Sequence, residues 1–266
     1  MTSHQFNPSI IRAYDIRGIY EETLFDQDAY FLGKSFAYFL KQNNKSRIAV
    51  GNDGRTSSPS LKENLIKGLT ESGINVTDVG LGPTPMLYFS VYELGLDAGI
   101  MVTGSHNPKN HNGFKMMLKE RPFFGGDIIS LAKIADTIEL TKSDIEGSCK
   151  KYDITKSYVK RLLEDCVIPQ SEGHLLDEID DFSPKKSLKI AWDAGNGSAG
   201  EIMQELTKII SAEHFLLFEN IDGTFPNHHP DPTVPKNLED LIKIVKEKEC
   251  DLGIAFDGDG DRIGLV

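Results

Sequence analysis

The sequence predicts an α/β protein made of two consecutive domains of similar topology, each a mixed or parallel sheet flanked by helices. Three observations carry this reading. Short apolar runs of strand length alternate with amphipathic segments of helix length, the pattern of helices laid on the faces of a sheet. Glycine-rich loops follow the ends of those runs. The two halves also repeat related strings in one order, IAVGNDGR against IAWDAGNG, then DAGIMVTGSHNP against DLGIAFDGDGDR.

In the first half, RIAVG (47–51) is a strand. SPSLKENLIKGLTESG then predicts a helix with Ser58 as N-cap, Pro59 at its first position and Gly73 past its end. Leu61, Leu65, Ile66 and Leu69 form its apolar stripe. INVTDVG is a strand and TPMLYFSVYELG a helix; DAGIMV (97–102) is a strand apolar enough to be covered on both faces. In the second half SLKIAW, AGEIMQELTKII, HFLLFE, KNLEDLIKIVKEKEC and DLGIAF (251–256) repeat the order strand, helix, strand, helix, strand. The stretch between them is more polar, with a helix around 154–165 and a loop-rich run VIPQSEGHLLDEIDDFSPKKS. A boundary near 150 divides the chain into 1–150 and 151–266.

The 266 residues, 39% hydrophobic and 26% charged, suffice for a substantial core. A formal net charge of -11 excludes a surface built to track a nucleic-acid backbone, though a small phosphorylated substrate needs only a few local cations. The N-terminal MTSHQFNPSIIRAYDIRG lacks the basic and apolar regions of a signal peptide. No apolar run approaches the ~20 residues of a membrane span. A cytoplasmic protein is expected. Cys149, Cys166 and Cys250 have neither metal-binding spacing nor the look of a disulfide framework and read as reduced thiols.

Ligands of such sheets gather beyond the carboxyl ends of strands. The matched strands 97–102 and 251–256 run into the two most unusual loops. TGSHNPKNHNGFK (103–115) presents Ser105 on a glycine turn, with His106 and Lys115 nearby for proton transfer and positive charge; an ordinary polar hairpin is the alternative. It is neither a hydrolase elbow nor a nucleotide P-loop. DGDGDR (257–262) alternates Asp257, Asp259 and Asp261 with glycines, so that three repelling carboxylates converge and call for a hard cation, Mg²⁺ or Ca²⁺; a solvated acidic turn is the alternative. An EF-hand is ruled out because Arg262 stands where that loop needs glycine. Weaker signals are RAYDIRG (12–18) with Tyr14 and Arg17, readable as a surface strand with a paired arginine, and GNDGRTS, where Asp53 and Arg55 tie a loop together. DAGNGSAG (193–200) is read as loop–helix packing, and His228 and His229 as loop residues rather than metal ligands.

YDIRG, TGSHNP with NGFK, and DGDGDR, in that order, together resemble the α-D-phosphohexomutase superfamily, and most its bacterial phosphomannomutase/phosphoglucomutase branch. The resemblance implies that Ser105 carries the transferred phosphoryl group and that Asp257, Asp259 and Asp261 hold Mg²⁺ with Ser105 as a further ligand. It implies proton transfer and phosphoryl stabilisation by Lys115 and His106, and supporting roles for Tyr14, Arg17 and Arg262. The substrate would be a small phosphosugar, interconverted between 1- and 6-phosphate through a hexose 1,6-bisphosphate. Members of the superfamily have two further domains, for reading the sugar and clamping phosphate. Neither is expected here, so the pair alone is expected to turn over poorly and to expose apolar surface where those domains would pack. Phosphoglucosamine mutase shares both loops and stays open, with TGSHNP favouring the mannose/glucose branch; a divalent-cation-binding module without catalysis is the reading from another class.

Overall fold

The computed structural model describes residues 3–166 and 188–266. The chain opens with β1 (Ile16–Ile19), α1 (Asp26–Gln42), β2 (Arg47–Asn52), α2 (Ser58–Glu71), β3 (Asn75–Leu81), α3 (Thr84–Glu93) and β4 (Ala98–Val102). It continues through β5 (His111–Leu118), β6 (Arg121–Pro122), α4 (Gly126–Thr137), β7 (Cys149–Lys151) and α5 (Thr155–Cys166). The second unit holds β8 (Lys189–Asp193), α6 (Gly200–Thr207), β9 (Glu213–Leu217), α7 (Glu239–Lys248), β10 (Leu252–Phe256) and β11 (Ile263–Leu265).

The first sheet has the order β1-β5-β4-β2-β3-β7, with β6 paired to β5; the second has the order β11-β10-β8-β9. The repeated strings of the sequence correspond to a repeated topology. In each sheet a parallel trio, β4-β2-β3 or β10-β8-β9, is flanked by an antiparallel strand, β5 or β11, that returns beside the last member of the trio. The first unit adds α1, α4 and edge strands to this plan.

β4 is buried at every position, as its unbroken apolar run predicts. Ile48, Val50 and Ile100 pack with Leu61, Leu65 and Leu69 of α2 and Phe36 and Leu40 of α1 on one face. Ala49 and Met101 pack with Met86, Leu87 and Val91 of α3 on the other. The second sheet is likewise covered on both faces, Trp192 lying with Met203 of α6 and Ala191 and Ala255 with Leu241 of α7.

Residue 150, where a boundary was expected, lies inside β7, a parallel neighbour of β3 in the first sheet. α5 follows and buries Tyr158 and Val159 in the cluster that also takes in Ile202 of α6, so apolar side chains of both units share one core. α2 starts one residue earlier than its sequence signals suggest. Ser57 precedes the helix, and Ser58, whose hydroxyl donates to Asp53 Oδ1 at 2.6 Å, is its first residue. The expected loop-rich run lies wholly outside the described residues. Cys149 and Cys250 are free thiols. Among the described residues, no helix is long and apolar enough to cross a membrane.

Candidate active site

The two unusual loops meet. β4 and β10 both end at one place, and the turns after them face each other across the gap between the units. Ser105 follows β4 by three residues and adopts φ 50, a left-handed conformation rare outside glycine. Its amide donates to Thr103 Oγ1 at 2.8 Å and its hydroxyl to Asp257 Oδ2 at 3.0 Å. Lys115 reaches the same point from β5, where it sits opposite Met101 in the antiparallel register. The 103–115 stretch is therefore part turn and part sheet, and the sheet portion aims the lysine.

The aspartate loop is the turn between β10 and β11. Asp257 Oδ1 accepts from the amides of Asp261 and Arg262 at 3.0 and 3.1 Å, which folds the loop around its first carboxylate. Asp259 is anchored from the first unit: its carbonyl accepts from the Thr84 amide at 2.8 Å and its Oδ2 from the Thr84 hydroxyl. One carboxylate oxygen from each of Asp257, Asp259 and Asp261 lies within 4.8 Å of the others. Asp257 and Asp259 are fully buried.

Burial, reinforced by the charges of Asp259 and Asp261, pushes the Asp257 carboxyl up to about 7. Asp259 resists the same burial because the Lys115 ammonium and the Thr84 hydroxyl hold it below the usual carboxylate range. Lys115 Nζ lies 2.6 Å from Asp259 Oδ2, 2.5 Å from Asp261 Oδ2 and 3.4 Å from Ser105 Oγ. Burial alone would lower its pKa, but the two carboxylates outweigh it and keep the lysine charged. Asp259 Oδ1 remains buried with no hydrogen-bond partner. An orphaned carboxylate oxygen beside two more carboxylates is costly without a cation. The all-oxygen donor set fits a hard divalent ion, so the residues present suit the cation that the loop's composition predicts.

His106 Nδ1 lies 3.3 Å from Ser105 Oγ and accepts from Arg262 Nη1 at 2.9 Å. Burial, then the charges of Arg262 and Arg17, hold its pKa below the ordinary histidine value. Arg17 is half-buried, paired with Asp15, and its Nε has no partner; the reading of RAYDIRG as a strand with a paired arginine describes its local structure. Tyr14 is not among the hydrogen-bond partners of the serine hydroxyl. It stands 78% exposed beside Phe124 on the wall of a cleft of about 800 Å³, which Arg12, Arg17, Lys115, Asp261 and Arg262 also line.

The histidine pair is tied into the site by hydrogen bonds. His228 contacts Asp193 at 2.9 Å, and His229 Nε2 reaches the His106 carbonyl at 2.5 Å. DAGNGSAG, read as loop–helix packing, also packs against the aspartate loop, its Ser198 amide and hydroxyl both donating to the Gly258 carbonyl. Thr84, Thr103 and Ser198 escape sequence reading because each is an ordinary small polar residue in a turn or at a helix start. The extent of Arg55's engagement escapes it too, since arginine is seldom fully buried.

Residues 8–143 match the family model for phosphoglucomutase/phosphomannomutase, alpha/beta/alpha domain I, and residues 173–266 that for domain II. The chain belongs to the phosphoglucomutase/phosphomannomutase family. It is 42% identical over 258 residues to a phosphomannomutase/phosphoglucomutase of Pseudomonas putida, and 43% identical over 257 residues to a phosphoglucomutase of Neisseria meningitidis serogroup B. Each match covers 97% of this chain and 52% of the relative, so the chain spans about half the length of the curated relatives it matches. A crystal structure of a phosphoglucomutase/phosphomannomutase family protein from Burkholderia thailandensis superposes with TM-score 0.86 at 38% identity, covering 98% of this chain and 55% of that one.

Proposed function

We propose that this chain forms the phosphoryl-transfer half of a phosphohexomutase site, interconverting the 1- and 6-phosphates of mannose or glucose through a phosphoserine at Ser105 and a 1,6-bisphosphate. The observation that carries the reading is the meeting of Ser105 Oγ with Asp257 Oδ2 at 3.0 Å, Lys115 Nζ at 3.4 Å and His106 Nδ1 at 3.3 Å. In this reading the unit that includes β7 is the phosphoserine-bearing domain and the unit that begins with β8 the metal-binding one, with the site between them. A cytoplasmic location fits the acidic net charge.

Asp257, Asp259 and Asp261 would hold Mg²⁺ together with an oxygen on Ser105. The ion would supply Lewis-acid stabilisation of the charge on the transferring phosphoryl group. The residues themselves divide the remaining work. Arginine donation to His106 Nδ1 leaves that nitrogen without a proton, and its lowered pKa keeps it neutral. When Ser105 is the acceptor, Arg262 turns from His106 Nδ1 to the phosphoryl oxygens, and the serine hydroxyl proton passes to the freed nitrogen as the new Oγ–P bond forms and the sugar oxygen–P bond breaks. When phosphorylated Ser105 is the donor, the Oγ–P bond breaks as the sugar oxygen–P bond forms, and the proton of the sugar hydroxyl ends on Oγ by way of His106. Lys115 stays charged throughout and, with Arg17 and Arg262, neutralises the equatorial phosphoryl oxygens. Tyr14 lines the path to the serine as a wall of the cleft.

Intact-mass measurement before and after incubation with glucose 1,6-bisphosphate and Mg²⁺ tests the reading. One phosphate mapped to Ser105, removed again by a hexose monophosphate and absent from Ser105→Ala, is expected. No phosphate on the wild-type chain, or phosphate at another residue, would refute it. Divalent-ion binding alone, with no phosphate, would favour a cation-binding module.

A further inference from the structure

Arg55 has no part in the roles above, yet its side chain is 0% exposed and all five of its donors are engaged. Nε donates to Asp53 Oδ2 at 3.1 Å. Nη1 donates to the carbonyls of Pro108 and His111 at 2.6 and 2.9 Å, and Nη2 to those of Ser105 and Asn107, each at 2.6 Å. Four carbonyls of the turn that carries Ser105 thus converge on one planar cation.

The packing around it is equally tight. A Cβ on Gly104 would lie 2.4 Å from the Arg55 guanidinium carbon, so the guanidinium rests against bare backbone. Asp53, 1% exposed, supplies the counter-charge and holds the same turn from its other side, accepting from Thr103 Oγ1 at 2.8 Å and the Gly104 amide at 3.1 Å. The Phe225 ring, from the second unit, covers the guanidinium at 5.2 Å.

A buried guanidinium is costly unless every donor is paired, and convergent carbonyls repel one another without a donor between them. Each half of the arrangement therefore needs the other. The left-handed backbone of Ser105 is likewise unfavourable for a residue with a Cβ, and it persists only where its surroundings impose it. We propose that Arg55 is a positioning residue: with Asp53 as counter-charge it fixes the 103–111 turn in the one conformation that stands Ser105 Oγ over the aspartate loop. A lysine could not replace it, since an ammonium offers three donors from a point rather than a planar fork of five.

The consequence for phosphoryl transfer rests on the function proposed above; the consequence for the turn does not. The test uses Arg55→Lys, Arg55→Met and Asp53→Asn in the whole chain and reads two quantities. At saturating glucose 1,6-bisphosphate and Mg²⁺, the rate of phosphate gain on Ser105 is expected to fall ~100-fold, the loss that a displacement of about 1 Å brings. The half-saturating bisphosphate concentration should stay close to wild type, and Arg55→Lys should retain more activity than Arg55→Met. By hydrogen exchange, the amides of 103–111 should lose protection while the helices of both units keep theirs. Wild-type loading rates in all three variants, unchanged protection of the turn, or a uniform loss of protection throughout the chain would each overturn the inference. If the wild-type chain takes no phosphate, the functional reading falls, and the exchange measurement still decides the role of Arg55.

Discussion

Gly258 is where the aspartate loop touches the serine turn, and replacing it with alanine should separate the two by a calculable amount. A Cβ there would lie 2.4 Å from the Ser105 carbonyl oxygen, whereas ordinary contact begins at 3.4 Å, so about 1 Å must open. The backbone of residue 258 is not left-handed, so alanine brings no conformational strain and the effect is steric alone. The aspartate loop has little room to retreat. The Gly258 carbonyl accepts from the Ser198 amide and hydroxyl at 3.0 and 3.1 Å, and its amide donates to the Pro230 carbonyl at 3.1 Å. Overpacking of this kind costs about 1–3 kcal/mol of stability. Moving Ser105 by ~1 Å from Asp257 should lower the rate of phosphate loading ~100-fold, or ~2.7 kcal/mol in activation free energy. The assay is the time course of intact mass with glucose 1,6-bisphosphate and Mg²⁺, alongside thermal unfolding. Gly126→Ala is the control: no atom lies within 4 Å of its added Cβ, and it opens α4 with an ordinary backbone. It should load at the wild-type rate and be as stable or slightly more so. A Gly258→Ala chain that loads at the wild-type rate with unchanged unfolding would refute the claim that this contact sets the spacing of the two loops.

Lys115→Met should raise divalent-ion affinity, measured by calorimetry with Mn²⁺, roughly fivefold or more. The ammonium now competes for Asp259 and Asp261, and two charges a few ångströms apart repel by ~1 kcal/mol even across water. The same variant should load Ser105 far more slowly, because the phosphoryl oxygens lose their nearest cation. Thr84→Val removes a hydroxyl that donates to a buried carboxylate and should cost about 1.5–3 kcal/mol in urea unfolding, with weaker Mn²⁺ binding as Asp259 loses its anchor. His228 is half-buried, which lowers its pKa, but the hydrogen bond and charge of Asp193 outweigh this and raise it above the ordinary value. Its contribution to stability should therefore be complete below about pH 6.5 and disappear as pH rises through the higher folded-state pKa. Thermal unfolding of wild type and His228→Gln should differ at pH 5.5–6 and converge at alkaline pH.

The parts of this molecule that depend on neighbours in the chain were legible before the structure. The apolar runs at 97–102 and 251–256 are parallel strands, the first buried throughout β4 and the second partly buried, and the loops after them converge because a repeated topology carries each loop to the same end of its sheet. What was not legible depends on distance. β5 lies between β1 and β4, and nothing in HNGFKMML says that its lysine will face a carboxylate 144 residues away. Thr84 begins a helix like any other threonine until Asp259, 175 residues later, is placed against it. Arg55 is the instructive case. Its dipeptide with Gly54 in a polar turn points to solvent, and a buried guanidinium is improbable for any arginine taken singly. It becomes favourable only when four carbonyls of another turn are aimed at it, an arrangement that no local periodicity encodes. Residues of this kind are the ones a motif search passes over, and the serine that such a search does find owes its geometry to them.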